Sequence, residues 1–435
     1  MTTLFALAGR PVMHSLSPAM HNAAFAKLGI DARYVRVHAE DSAGALELCR
    51  QMKVGGFNVT APYKEALFGR VRPQGDARHI GAVNTVLLRG GRAVGLNTDG
   101  VGALRALVEN GVELKGRSAL VLGAGGAGRA AVFALKSAGA RVTVANRTRS
   151  RAEEVARRLG CASAGLEPAR LEAIVRESEI VVSTLGAPVR VVDARALRPG
   201  TTVLDAAYGW ESPLVAGARR RGLKVVDGRE WLLYQGLAAF EAFTGEQAPV
   251  AVMRRALYAP GEPIRGQNLA LVGFMGAGKS TVAREIARRT GMALIDIDER
   301  IEKRAGASVA ELFATRGEAA FRRLERAELR RLAALEATVV ACGGGAVLGR
   351  ANVAALRDCM VAWLWVGPQT AVSRIEPRSR PLLKGKNPVG RAKQILEARL
   401  RAYAAASHVV IGGDERSPEA IAGLVLECFD EVSKR

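Results

Sequence analysis

The sequence predicts an α/β protein with two nucleotide-binding domains, each built on a parallel sheet. Three observations predict it. Apolar, strand-like runs alternate with helical runs along all 435 residues. Two of those runs, ALVLGAG (119–125) and LALVGF (269–274), pass directly into a glycine-rich turn and then a helix, the order of a βαβ unit. The two turns differ in spacing and chemistry, so they are two separate sites and not an internal repeat. The length suits two or three domains of the usual ~100–200 residues.

Composition narrows the function classes. Hydrophobic residues make up 49% and charged residues 24%, enough apolar material for ordinary cores. No run of ~18 uncharged apolar residues occurs, so no membrane span is expected. MTTLFALAGR lacks the basic start and apolar core of a secretory leader, and the five cysteines (Cys49, Cys161, Cys342, Cys359, Cys428) have no metal spacing. A cytoplasmic protein with reduced thiols is expected. The formal charge of +21 comes from 63 Lys+Arg against 42 Asp+Glu. The arginines are spread over helical stretches such as ARRTG, GARRRG and FRRLERAELRRL, with no basic tail. Solvated helix faces and pockets for anionic ligands are expected, not nucleic-acid binding.

The first turn lies within ALVLGAGGAGRAAVFALKSAGARVTVANRT (119–148), a complete βαβ unit. Gly123 makes the tight turn, Gly125 admits the pyrophosphate and Gly128 allows close helix–strand packing. Ala124, Gly126 and Ala127 complete the loop, and the helix N-terminus faces the phosphates. Gly139 supplies the helix stop. The second strand ends in Asn146, Arg147 and Thr148, with Arg151 following, and has no carboxylate for ribose hydroxyls. Guanidinium groups there match a 2′-phosphate, so the expected cofactor is NADPH. Upstream lie four polar clusters: HSLSP (14–18), FNVTAPYK (57–64), GAVNT (81–85) and GLNTDG (95–100). Together they suit a hydroxyl-rich ligand with one carboxylate.

These clusters, with the dinucleotide loop and DGREWLLYQG (227–236), closely resemble shikimate dehydrogenase over residues 4 to 250. The resemblance implies that Ser15 and Ser17 hold a substrate carboxylate and that Lys64 and Asp99 are the catalytic dyad. It implies that Thr60, Asn84, Tyr208 and Gln235 contact the substrate, with Gly228 beside the cofactor. Hydride transfer to the C3 ketone of 3-dehydroshikimate creates an alkoxide, which a Lys–Asp pair can protonate. STLGAP (183–188), GWESP (209–213) and Trp231 depart from the family pattern on the nicotinamide side.

The second turn, Gly273 to Ser280 (GFMGAGKS), is a full Walker A sequence between the strand NLALV and the helix TVAREIARR. Gly276, Ala277 and Gly278 cradle phosphates by their N–H groups, Lys279 reaches the β/γ oxygens, Ser280 ligates Mg²⁺ and Thr281 follows in the helix. The next strand, MALIDID, is expected to carry Asp296 and Asp298 on one side. One would support the metal and the other would meet an acceptor hydroxyl. SVAE (308–311) is a capping box, GGG (343–345) suits close backbone approach, and RPLL (380–383) reads as a mobile lid.

In this order the elements resemble shikimate kinase from 268 to 430. The resemblance implies that Asp298, Arg322, Gly344, Gly345 and Arg399 touch shikimate, that Asp296 serves the metal and that Arg380 reaches the ATP phosphates; Arg374 would lie near adenine. Arg401 replaces a proline common in the family. The expected organisation is a substrate lobe (1–100), an NADP lobe (101–235), helices returning to the first lobe (236–257), a linker YAPGEPIRGQ (258–267) and a kinase domain (268–435). The expected function is NADPH-dependent reduction of 3-dehydroshikimate followed by MgATP-dependent phosphorylation of shikimate, two steps of aromatic amino acid (chorismate) biosynthesis. The rivals are a quinate-type dehydrogenase, a gluconate-type kinase and a nucleic-acid-binding protein that kept its nucleotide sites. The F-R-x-x-E and GGG elements weigh against the second, and a complete set of catalytic residue types in both halves weighs against the third.

Overall fold

The computed structural model describes residues 2–186, 189–259, 261, 263–375, 381–383 and 386–434. The chain forms two compact units. The first comprises Met1–Pro18, Ile30–Val54 and Glu262–Arg435; the second comprises Ala19–Gly29 and Gly55–Gly261. This division does not coincide with a single cut at 258–267, because residues 1–18 and 30–54 group with the C-terminal half. The reason is a strand pairing. Ala32–His38 runs parallel to Val409–Gly412, with Val37 opposite Val410 and His38 opposite Ile411.

Among the described residues, the first unit contains seven strands in the order Ala293–Asp296, Thr338–Ala341, Asn268–Val272, Cys359–Trp365, Val409–Gly412, Ala32–His38, Thr3–Gly9. Every neighbouring pair is parallel. NLALV, TVVA and CMVAWLW are buried at every residue. Strands covered on both faces read as continuous apolar runs and not as alternation. The Walker sequence leaves the C-terminal end of Asn268–Val272, which is flanked by Thr338–Ala341 on one side and Cys359–Trp365 on the other. Its helix, Lys279–Thr290, ends at Gly291, which takes the left-handed conformation (φ 74°).

The second unit holds a six-stranded parallel sheet in the order Lys224–Val226, Thr202–Asp205, Ile180–Ser183, Ser118–Leu122, Arg141–Ala145, Ala162–Ala164. Strand order reverses at Ser118–Leu122, and the G-x-G-x-x-G turn sits at that strand's C-terminal end, where doubly wound sheets bind ligands. Its helix, Gly126–Ser137, is followed by Gly139 at φ 86°. Four further strands form a mixed group: Gly56–Val59 and Arg92–Leu96 lie antiparallel on either side of Thr85–Arg89, and Arg72–Pro73 adds in parallel.

Two helices of this unit, Asp99–Val108 and Gly228–Thr244, are in close contact. Gly102 allows it: a Cβ there would stand 2.6 Å from Gln235 Cβ and 2.9 Å from the Gln235 backbone nitrogen. Among the described residues, no helix is long and apolar enough to cross a membrane.

Candidate functional site

The second unit brings Lys64 and Asp99 together. Lys64 is the second residue of the short helix Tyr63–Phe68, and its Nζ donates to Asp99 Oδ2 at 2.6 Å. The two side chains are 17% and 7% exposed, so little water screens the pair. Asp99 is the first residue of its helix. Asn97 Oδ1 accepts from the backbone N–H of Asp99 (3.0 Å) and of Gly100 (3.3 Å), which fixes the turn that presents the carboxylate. Trp231 Nε1 donates to Asp99 O at 2.9 Å from the neighbouring helix.

Beside the dyad lies a buried polar network. Asn84 Nδ2 donates to Thr98 Oγ1 at 2.9 Å, and Asn84 Oδ1 accepts from Thr98 N at 2.8 Å. Gln235 Oε1 is 3.4 Å from Asn84 Nδ2. Asn58 and Thr85 extend the network through a bond of 2.9 Å. Thr60 is half-buried at the turn before the Lys64 helix, where its carbonyl accepts from Tyr63 N at 3.1 Å.

The dinucleotide loop meets this site. A Cβ on Gly126 would lie 2.8 Å from Lys64 Cβ, so the loop backbone packs directly on the lysine stem. Gly123 has φ 108°, and a Cβ on Gly128 would fall 2.0 Å from Gly123 O; both positions require glycine. Ala124 N donates to Asn146 Oδ1 at 3.3 Å, which ties the loop to the end of the next strand. A Cβ on Gly228 would fall 2.3 Å from Ala207 O, a similarly close approach next to half-buried Tyr208. These features fit a pyrophosphate at the helix N-terminus. Arg147 is exposed and, among the described residues, makes no ion pair. Arg151 does not stand equally ready, because its guanidinium is paired with Glu65 at 2.7 Å.

Ser15 and Ser17 belong to the first unit. Both are buried; Ser15 Oγ donates to Ser17 Oγ at 3.2 Å, and Arg36 Nη2 donates to Ser15 O at 2.7 Å.

The first unit assembles the second set of candidates. Gly276 and Gly278 both have φ 79°, and a Cβ on Gly276 would meet Ala371 O at 2.4 Å. The loop therefore takes a shape only glycine allows, one that fits a phosphate cradle. Lys279 Nζ curls back to Gly273 O and Phe274 O, each at 3.0 Å, while Ser280 and Thr281 occupy the first turn of the helix. Nearby, one pocket is lined by Met275, Asp298, Arg322, Gly344, Gly345 and Arg399. Arg399 Nη1 donates to Gly344 O at 3.0 Å. A Cβ on Gly345 would strike Arg322 Nη2 at 2.2 Å, so the glycine run makes room for the guanidinium.

One expectation is corrected. Asp296 and Asp298 do not share a strand: Ala293–Asp296 ends at Asp296 and a helix begins at Ile297. Asp296 is the N-cap of that helix, its Oδ1 accepting from Asp298 N (3.0 Å) and Glu299 N (3.3 Å). Capping wins over strand continuation because the short carboxylate satisfies two orphan N–H groups. Oδ2 makes no hydrogen bond among the described residues. Arg374 donates to Gly413 O at 2.9 Å. Arg380 and most of the expected lid lie outside the described residues.

One acid enters the sequence reading only as the last letter of F-R-x-x-E, with no role assigned. Glu325 is fully buried, with Oε2 2.9 Å from Arg322 Nη1 and 3.3 Å from Asn352 Nδ2. Burial pushes its carboxyl up, and the Arg322 charge opposes that shift. Its position three residues after Arg322 on a helix is the only local signal for the pairing.

Comparison with known proteins gives four family matches along the chain. They are a shikimate dehydrogenase substrate binding domain at 7–86, shikimate / quinate 5-dehydrogenase at 106–203, a shikimate 5′-dehydrogenase C-terminal domain at 228–258, and shikimate kinase at 275–430. Among curated relatives, the NADP(+) shikimate dehydrogenase of Halobacterium salinarum is 44% identical over 262 residues, which is 59% of this chain and 98% of that one. The enzyme of Moorella thermoacetica is 45% identical over 277 residues, 59% of this chain and 92% of that one. Among solved structures, the Thermus thermophilus shikimate 5-dehydrogenase in complex with NADP(H) and shikimate is 37% identical. It covers 59% of this chain and 98% of its own, with a TM-score of 0.54.

Proposed function

We infer, from a chain that belongs to the shikimate dehydrogenase family over residues 7–258 and carries a shikimate kinase domain at 275–430, that one polypeptide performs two consecutive reactions. It reduces 3-dehydroshikimate to shikimate with NADPH and then transfers a phosphoryl group from MgATP to the 3-hydroxyl it has just made. Aromatic amino acid biosynthesis is the pathway these steps fit. When bound, NADPH supplies the hydride and MgATP the phosphoryl group.

The observation that carries the first reaction is the 2.6 Å Lys64–Asp99 pair packed against the loop glycine Gly126. As the C3 carbonyl gains hydride, its oxygen becomes an alkoxide and needs one proton. The Lys64 ammonium donates it, and Asp99 holds the ammonium in place. Asn84, Thr98 and Gln235 form the polar wall that orients ring hydroxyls, a role supported by their mutual hydrogen bonds. For the second reaction, Asp298 accepts a hydrogen bond from the attacking hydroxyl, and Arg322 and Arg399 hold the carboxylate by their guanidinium forks. Glu325 keeps Arg322 in position from below. Lys279 would exchange its loop carbonyls for the β/γ-phosphate oxygens of bound ATP, Asp296 and Ser280 would hold Mg²⁺, and Arg380 would serve the phosphates.

The test is a coupled assay with 3-dehydroshikimate, NADPH and MgATP, in which shikimate 3-phosphate forms only when all three are present. Lys64→Ala lowers dehydrogenase turnover by roughly 10²–10⁴ and leaves phosphorylation of added shikimate intact. Near-normal reduction by that variant would remove Lys64 from the chemistry.

A further inference from the structure

The C-terminal helix Pro418–Ser433 places a group of ligand-type side chains against the strand Ala32–His38. One imidazole nitrogen of His38, the Cys428 sulfur and a Glu431 carboxylate oxygen lie within 4.8 Å of one another. His38 and Cys428 are buried and Glu431 is half-buried. None of the three belongs to either reaction described above.

The state of His38 is the informative part. His38 is 1% exposed, and its Nε2 sits 2.9 Å from Glu427 Oε2. A carboxylate only accepts, so Nε2 carries a proton, and in the neutral ring Nδ1 offers a lone pair. Nδ1 is buried with no hydrogen-bond partner among the described residues. Buried polar atoms are normally satisfied, and one beside a thiol and a carboxylate is suited to a bound ion. A carboxylate on one ring nitrogen, fixing the tautomer and leaving the other to a metal, is the usual outer-shell arrangement of metal-bound histidine. Glu431 is also held in advance: its carboxylate accepts from Met13 N at 2.9 Å and Val12 N at 3.2 Å.

The geometry points to a site for a zinc-class divalent cation formed by His38 Nδ1, Cys428 Sγ and Glu431, with Glu427 as the supporting carboxylate. Imidazole, thiolate and carboxylate together suit a borderline-soft ion in tetrahedral geometry, and water takes the fourth position. Ligand bonds of ~2.0–2.3 Å put tetrahedral ligands about 3.3–3.8 Å apart, so the side chains must close by roughly 1 Å on loading. Binding deprotonates the Cys428 thiol and releases that proton to solvent. Cys428 is otherwise a thiol that burial holds protonated and inert. The bound ion would clamp the C-terminal helix to the strand Ala32–His38 and, through Glu431, to residues 12 and 13.

The test uses the full-length chain, stripped with chelator and titrated with Co²⁺ in the presence of saturating MgATP, which occupies the nucleotide site. The expected result is a thiolate-to-cobalt charge-transfer band that saturates at one equivalent and is displaced by Zn²⁺. Cys428→Ser abolishes the band. Glu427→Gln leaves the three ligands in place and weakens Co²⁺ affinity by about 10–100-fold. Dehydrogenase and kinase rates of each variant check that it is folded. If Cys428→Ser fails that check, Glu427→Gln carries the test. No charge-transfer band, a band undiminished in folded Cys428→Ser, or unchanged affinity in Glu427→Gln overturns the site.

Discussion

Gly102→Ala tests whether the dehydrogenase site depends on the contact between the helices Asp99–Val108 and Gly228–Thr244. The new methyl would stand 2.6 Å from Gln235 Cβ, 2.9 Å from Gln235 N and 3.0 Å from Trp231 Cδ1. One of those atoms is backbone, so a rotamer change cannot relieve the clash. Ordinary contact is about 3.5–4 Å, so the helices must part by roughly 1 Å. Overpacking of this kind costs about 1–3 kcal/mol of stability. The kinetic effect is larger. Asp99 opens the displaced helix, and its carbonyl accepts the Trp231 indole N–H at 2.9 Å. A displacement of about 1 Å in a positioned group lowers rate by ~10²-fold. The assay is NADPH oxidation with 3-dehydroshikimate, with phosphorylation of added shikimate by the same chain as the internal control. Dehydrogenase turnover should fall by about two orders of magnitude while the kinase rate holds. Unchanged dehydrogenase turnover and melting would show that the helix contact does not set the site.

Arg147→Ala should weaken NADPH by ~1.5–3 kcal/mol and spare NADH, as measured from the two KM values. Arg151→Ala should do less, because Arg151 is paired with Glu65 at 2.7 Å. Lys279→Ala should abolish phosphorylation while reduction continues, so that shikimate accumulates in the coupled assay; phosphorylation near the normal rate would assign the β/γ-phosphate contact to another residue. Stability should fall on acidification. Burial, and then the nearby Arg36, lowers His408 from 6.5 to about 4. The folded value lies below the unfolded one, so the unfolded chain takes the proton first. The stability is full above pH ~6.5 and is lost as pH falls toward 4, amounting to about 2 kcal/mol between pH 7 and 5. Urea midpoints of the unit carrying His408, followed by kinase activity, should shift accordingly, and a flat profile counts against a neutral buried His408.

Both nucleotide loops are legible in the sequence because their determinants are local. Gly123, Gly128, Gly276 and Gly278 are required by backbone angles or close approaches within a few residues or at one neighbouring strand or helix. The boundaries of the flanking helices follow from Gly139 and Gly291 for the same reason. Lys64 and Asp99 became visible through the family resemblance, since nothing in either segment alone encodes the 2.6 Å contact across 35 positions. What stayed hidden depends on partners far along the chain or on competition between local rules. MALIDID reads equally well as a strand through Asp298, but the Asp296 carboxylate gains more by capping a helix. Arg151 looks like a phosphate ligand until Glu65 is beside it. F-R-x-x-E marks Glu325 as part of a motif, but not its burial or its bond to Asn352 27 positions away. The pairing of ARYVRVH with VVIG leaves no local trace, because a short parallel strand does not specify its neighbour.

That pairing has a temporal side. Arg36 and His408, which meet across it, are 372 residues apart. At ~5–20 residues per second, the ribosome makes the later strand about 20–75 s after the earlier one. Throughout that interval Ala32–His38 has an open edge, the kind of surface that recruits stray strands from other nascent chains. Arg33 and Arg36 lie along it, and charged side chains on an open edge discourage such association. Once Val409–Gly412 arrives, the Arg36 guanidinium bonds His408 O at 3.3 Å and Ser15 O at 2.7 Å. The same side chain can thus guard the unfinished sheet during translation and fasten the finished one.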